Sequence, residues 1–168
     1  DWGSGSSGFN LDIESNGDTA TVRVDRDTEI YDSELPYGPM NLVGVVQQYD
    51  YQDDPYEGYQ LMPRYLDDIE LMARYSGTII NATTGSGVAG VSIVSDIDST
   101  GSDQDGNYSL NTSLDADILN FSKTNYTDAF FSINGSEAGF HVIDVDLYPS
   151  APVGVYSTGF ESASDTGN

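Results

Sequence analysis

The sequence predicts an all-β chain, and three observations lead there. Helical periodicity is nearly absent: no window of a dozen residues carries apolar side chains at i, i+3, i+4 and i+7 without Gly or β-branched runs. Short alternating segments recur instead, separated by Gly, Asp, Asn and Pro. Finally, 12 Tyr and 6 Phe among 168 residues supply bulk for a core despite a formal charge of -23, which alone would read as disorder.

In the first half, FNLDI (9–13), TATVRVD (19–25), NLVGVVQQYD (41–50) and GYQLMPR (58–64) read as strands. The first two are joined by SNGD (15–18), whose Asn-Gly pair is the preferred tight hairpin turn. PRYLDDIELMAR (63–74) is the one stretch able to hold a short helical turn. In the second half the strands are SGTIINA (76–82), GVSIVSD (90–96), NYSLNT (107–112), DILNFS (117–122), DAFFSI (128–133) and HVIDVDLY (141–148). In the last, Ile143, Val145 and Leu147 share one face while Asp144 and Asp146 point the other way. Residues 150–168 read as an extended tail or linker, within which PVGVYSTGF remains capable of forming a strand.

Composition excludes several functions. Lys plus Arg number 5 against 28 Asp plus Glu, so the surface repels phosphate backbones and anionic lipid and attracts cations. No nucleic acid and no membrane insertion are expected, since no stretch of about 18 apolar residues exists. Residues 1–74 carry 16 acidic and 4 basic side chains and the remainder 12 and 1, so acidity is global and not a tail. Without cysteine there are no disulfides, thiolate metal sites or cysteine nucleophiles. No signal peptide stands at Asp1, so a secreted origin would make this a mature or excised fragment.

The stretch from Tyr75 to Pro149 resembles the carboxypeptidase regulatory-like family on SGTIINATTGSGVAGVSIV, DQDGNYSL, DILNFSKTNYTDAFFSI and HVIDVDLYP. That resemblance implies a transthyretin-type Greek-key β-sandwich of about seven strands. Phe9 to Ile69 is similar to an OB-like β-barrel module of secreted multidomain bacterial proteins, on TVRVDRDTEI, PYGPMNLVGVVQQYD and GYQLMPRYLDDI. The expected order is therefore an OB-like barrel (1–74), a regulatory-like sandwich (75–149) and the tail (150–168). An OB barrel needs five strands and this reading supplies four. DWGSGSSG, standing where the first strand belongs, is too rich in Gly and Ser to pack. That strand lies outside this chain, or another molecule supplies it.

Candidate sites follow from the acids. Asp96, Asp98, Asp103, Asp105 and Asn107 offer oxygens for Ca2+, which takes six to eight of them from flexible Asp/Asn/Gly loops. The same Asp-Gly-Asn-Tyr segment is equally a hairpin turn, with Gly supplying positive φ and Asp capping the backbone. It is no EF-hand, because Thr112 stands where that loop needs Glu. A second acidic set, Asp50, Asp53, Asp54 and Glu57, reads as a solvated loop or a second cation site. His141 has no imidazole or thiol companion in the sequence and reads as a strand histidine. No nucleophile elbow, phosphate loop or zinc motif appears, so no enzyme is expected.

Sequons fall at Asn81, Asn107, Asn111, Asn120, Asn125 and Asn134, possible anchors for glycans on an exposed surface. The expected function is a non-catalytic extracellular or cell-surface structural or adhesive module. Its expected partner is itself, as a homo-oligomer or fibre in which Pro152, Val153, Gly154, Val155 and Tyr156 donate a strand to a neighbour. Two alternatives stand beside it. One is an accessory region of a larger secreted hydrolase, since GFES (159–162) resembles the opening of a β-sandwich attached to secreted peptidases. The other is a module binding extracellular glycan through Trp2, Tyr51 and Tyr56.

Overall fold

A computed structural model describes residues 7–49, 57–133 and 137–150. The chain is all-β. Strands β1 (Gly8–Ser15) and β2 (Asp18–Asp25) pair antiparallel from Gly8↔Asp25 to Ser15↔Asp18. The turn between them is the expected Asn-Gly: Asn16 and Gly17 take φ of 52° and 88°, the left-handed pair whose twist matches a hairpin. Alternation along β2 buries Val22 and Val24, which join Ile30 in a small core covered by Phe9, Leu11, Tyr31 and Ile69.

NLVGVVQQYD does not run as one strand. It divides at Val43-Gly44 into β3 (Met40–Leu42) and β4 (Val45–Gln48). A Cβ on Gly44 would lie 2.6 Å from the Met62 carbonyl oxygen, so the chain passes β5 (Tyr59–Met62) too closely for any side chain there. β3 turns away to pair with β6 (Ile69–Leu71), while β4 stays on β5. The helical-turn stretch becomes a 3-10 turn (Leu66–Asp68) followed by β6; a second 3-10 turn spans Glu29–Asp32. The first half is therefore an open sheet in the order β1-β2-β5-β4, with β2 and β5 parallel, plus the β3–β6 ribbon. Among the described residues these strands do not close into the expected barrel, because β3 leaves the sheet at the glycine.

β7 (Ala73–Asn81) crosses the expected junction at residue 74 without a break. It is flanked by β10 (Asn107–Thr112), antiparallel, and on its other edge by β13 (Gly139–Val142) and β14 (Val145–Leu147), both parallel. The facing sheet runs β12-β11-β8-β9, made of β8 (Ser92–Val94), β9 (Ser99–Gly101), β11 (Ile118–Ser122) and β12 (Ala129–Ser132). Alternating residues of both sheets fill the space between, led by Ile79, Val91, Ile93, Leu119, Phe121 and Leu147. Phe121 is the hub, with Tyr108 and Phe131 edge-on at 5.4 and 5.8 Å. Burial of a ring this size against such neighbours is worth about 3–5 kcal/mol by truncation.

HVIDVDLY also breaks, between β13 and β14. Its alternation holds, with Val145 and Leu147 buried and Asp144 and Asp146 outside. The ladder is interrupted because the Asp144 carboxylate accepts the Thr78 amide at 2.8 Å, in place of a main-chain carbonyl. At that point the closing strand passes close over Gly77, where a Cβ would sit 2.0 Å from the Ile143 oxygen, and the register is the same on both sides of the break.

Candidate functional site

Asp96, Asp98, Asp103 and Asp105 fall into two separate places. At the β9–β10 turn, Asp103 accepts the amides of Asp105 (2.9 Å) and Asn107 (2.8 Å) and the Asn107 side-chain amide (3.1 Å). Gly106 lies between them at φ 87°. These bonds, the Asn107 amide first, hold the Asp103 carboxyl below the usual carboxylate range. This is a tight capped turn, closed by Asp103 N on the Asn107 carbonyl; it carries the chain from β9 in one sheet to β10 in the other, so it is not the expected hairpin, whose two strands would pair with each other.

Asp96 and Asp98 do not fold back onto it. They lie in the β8–β9 loop and reach the far end of β10, where Asp98 accepts the Asn111 amide (3.1 Å) and Asp96 the Ser113 amide (3.3 Å). Ser95 assists, its hydroxyl donating to the Asn111 carbonyl at 2.9 Å. Partial burial pushes the Asp96 carboxyl up, but the Ser113 hydrogen bonds outweigh it and the net displacement is downward. The loop thus latches the β8–β9 edge of one sheet to the end of β10 in the other. Four residues of strand separate Asn107 from Asn111, about 13 Å at the usual rise. The two acidic sets therefore do not form one cage, and among the described residues no group of three or more His, Asp or Glu is placed to hold a metal.

Asp50, Asp53 and Asp54 lie outside the described residues, as do Asn134, Trp2, Tyr51, Tyr56 and the segment Pro152–Tyr156. Glu57 is exposed, and its carbonyl accepts the Gln48 side-chain amide. Asn120 and Asn125 are exposed. Asn81 is held by its own turn, accepting from Thr83 and donating to the Tyr126 hydroxyl. Asn111 accepts Arg74 Nε at 2.8 Å. His141 stacks on Tyr75 at 4.9 Å and pairs with the Glu137 carbonyl at 2.8 Å, a packed strand histidine as its position implies.

Two features escaped the sequence reading. The first is the sheet edge at β4, which among the described residues is the last strand of its sheet, with Val45 and Val46 exposed at 52% and 67%. The second is a contact between the halves, through Met72 N to the Pro39 carbonyl (2.9 Å) and Gly139 N to the Met72 carbonyl (3.2 Å). It places Tyr37 edge-on to Phe140, centroids 6.2 Å apart. The PYGP stretch was the available signal for that contact, but nothing in it names residue 139 as its partner.

No family model matches the chain, and no curated protein does. Among solved structures it is similar to a protein of unknown function from Bacteroides fragilis, described as membrane-associated. The identity there is 18% and the TM-score 0.36, over 49% of this chain and 30% of that one. It is also similar to the Bacillus anthracis TIE protein, at 10% identity and a TM-score of 0.37, over 85% of this chain and 31% of that one. The chain spans less than a third of the length of either. At these scores neither speaks to what this chain does. No helix among the described residues is long and apolar enough to cross a membrane.

Proposed function

We propose that this chain is a non-catalytic extracellular module that builds a surface assembly by strand pairing between copies. The observation that carries this reading is the contrast between the two edges of the first sheet. β1 presents Asp12 and Glu14, charges that deter pairing. β4, at the opposite edge, reads Val-Val-Gln-Gln, with no charge, no proline and two exposed valines. In a chain of net charge -23, contact between copies is opposed almost everywhere, and a neutral edge is where repulsion is least. Pro152–Tyr156 is likewise uncharged and apolar in alternation, which makes it the matching donor. A donor and an acceptor at different places on one chain repeat head to tail into an open filament.

For the second half we infer a carboxypeptidase regulatory-like sandwich, a reading supported by its two facing sheets and by Asp105-Gly106-Asn107-Tyr108 standing at a tight turn between two strands. Size-exclusion chromatography and negative-stain microscopy test the assembly. Deleting residues 150–168, or substituting Val46→Lys, leaves monomers if the reading holds. Filaments that persist in both variants refute it.

A further inference from the structure

A groove of about 880 Å3 lies between the β1–β2 hairpin and the start of the sandwich, walled by β3, β7, β10 and β13. Its volume is that of a small-molecule site and not of a crevice. Its lining is less acidic than the chain as a whole. Glu14 and Arg74 are its charged side chains, one of each sign, so the lining is formally neutral within a chain of charge -23. Three planar amides, Asn16, Asn41 and Asn111, line it as well, beside apolar wall from Met40, Leu42 and Met72.

One aromatic ring lines the groove: Phe140, 61% exposed, which Tyr37, 77% exposed and outside the lining, meets edge-on at an interplanar angle of 77°. The Arg74 Nε bond to Asn111 Oδ1 fixes the guanidinium beside an amide, and the Pro39–Met72–Gly139 hydrogen bonds fix the walls relative to each other. A fixed site loses little freedom when it is filled.

We propose that this groove binds a neutral oligosaccharide. The exposed Phe140 ring offers a face for the apolar side of a pyranose ring. Amides, a guanidinium and a carboxylate supply donors and acceptors together, which is what a row of hydroxyls demands. A nucleotide or a uronate chain can also stack, but its negative charge meets the repulsion of the whole molecule. This site is separate from the β4 edge.

The test uses the whole chain, titrated with cellohexaose, xylohexaose, mannohexaose and chitohexaose by calorimetry and by 1H–15N NMR. At least one probe gives saturable shifts at the backbone amides of Arg74, Asn111 and Phe140. Phe140→Ala, an exposed position that leaves the fold intact, weakens that binding at least tenfold, as does Arg74→Gln, while Val46→Lys leaves it unchanged. Saturation by none of the four probes overturns the proposal. So does binding that survives both groove variants, or tighter binding of an oligogalacturonate than of any neutral probe.

Discussion

The Tyr108 hydroxyl donates a 2.7 Å hydrogen bond to the carbonyl of Ile143, at the point where the closing strand breaks. One side chain of β10 thus satisfies the main chain beyond β13 from across β7. Tyr108→Phe keeps the ring against Phe121 and removes that bond, at a cost of about 1 kcal/mol. For a domain of this size that is a fall in Tm of about 2–4 °C. Burial first, and the nearby negative Asp144 second, raise the phenol above its ordinary value. A raised folded value means the associated stability is complete below about pH 10 and is lost as the pH climbs beyond it. Urea unfolding at pH 8 and pH 11 will show a larger alkaline loss in the wild type than in the Phe variant.

Gly106 and Gly17 separate two costs of adding a methyl group. Both take positive φ, 87° and 88°, but a Cβ on Gly106 would lie 2.2 Å from the Ile79 oxygen while one on Gly17 meets nothing within 4 Å. Gly17→Ala costs about 1 kcal/mol, the conformational penalty alone. Gly106→Ala adds displacement of the β7–β10 pairing and costs more than about 3 kcal/mol. Chemical denaturation of the two variants side by side measures the difference.

Thr112 is fully buried and its hydroxyl has no hydrogen-bond partner among the described residues. Desolvating that oxygen without return is a standing penalty, and Val has the same shape without it. Thr112→Val is expected to raise stability by about 1 kcal/mol, read as an increased denaturation midpoint at unchanged slope.

Acid exposes the carboxylates that serve as caps. Asp103 is held low by Asn107, Asp68 by its hydrogen bond to Arg64, and Asp96 by Ser113 against the opposing effect of burial. A lowered folded value contributes stability above the ordinary carboxylate range, lost as pH falls through the folded values. Stability should therefore decline from about pH 4 downward. Asp103→Asn should begin from a lower plateau and decline less steeply, as followed by Tm between pH 2.5 and 7.

The parts legible in sequence were those settled locally. Asn16-Gly17 fixed a hairpin, and Asn107–Thr112 kept its boundaries, because turn chemistry and strict alternation need no distant partner. The breaks at Gly44 and Asp144 were hidden, since each depends on a strand far away in sequence, the Met62 carbonyl in one case and the Thr78 amide in the other. The acidic positions misled for a related reason. Asp98 and Asp103 are close along the chain, yet they grip opposite ends of β10. The groove was invisible because it joins Glu14, Arg74, Asn111 and Phe140 from four strands.

The pairing of β7 with β13 and β14 has a mechanical meaning. The chain enters the sandwich at Ala73, the start of β7, and its last strand, β14, ends at Leu147, with residues 148–150 still bonded to the 125–127 segment. Because these strands are parallel, a pull on the two exits drags them past each other lengthwise. Every hydrogen bond of the ladder then bears load together; antiparallel strands pulled from the same end would instead open one bond at a time. Force spectroscopy through handles at residues 73 and 148 should find high rupture forces that drop sharply when β14 is cut away. The sandwich is therefore expected to resist a pull along the direction in which its chain runs.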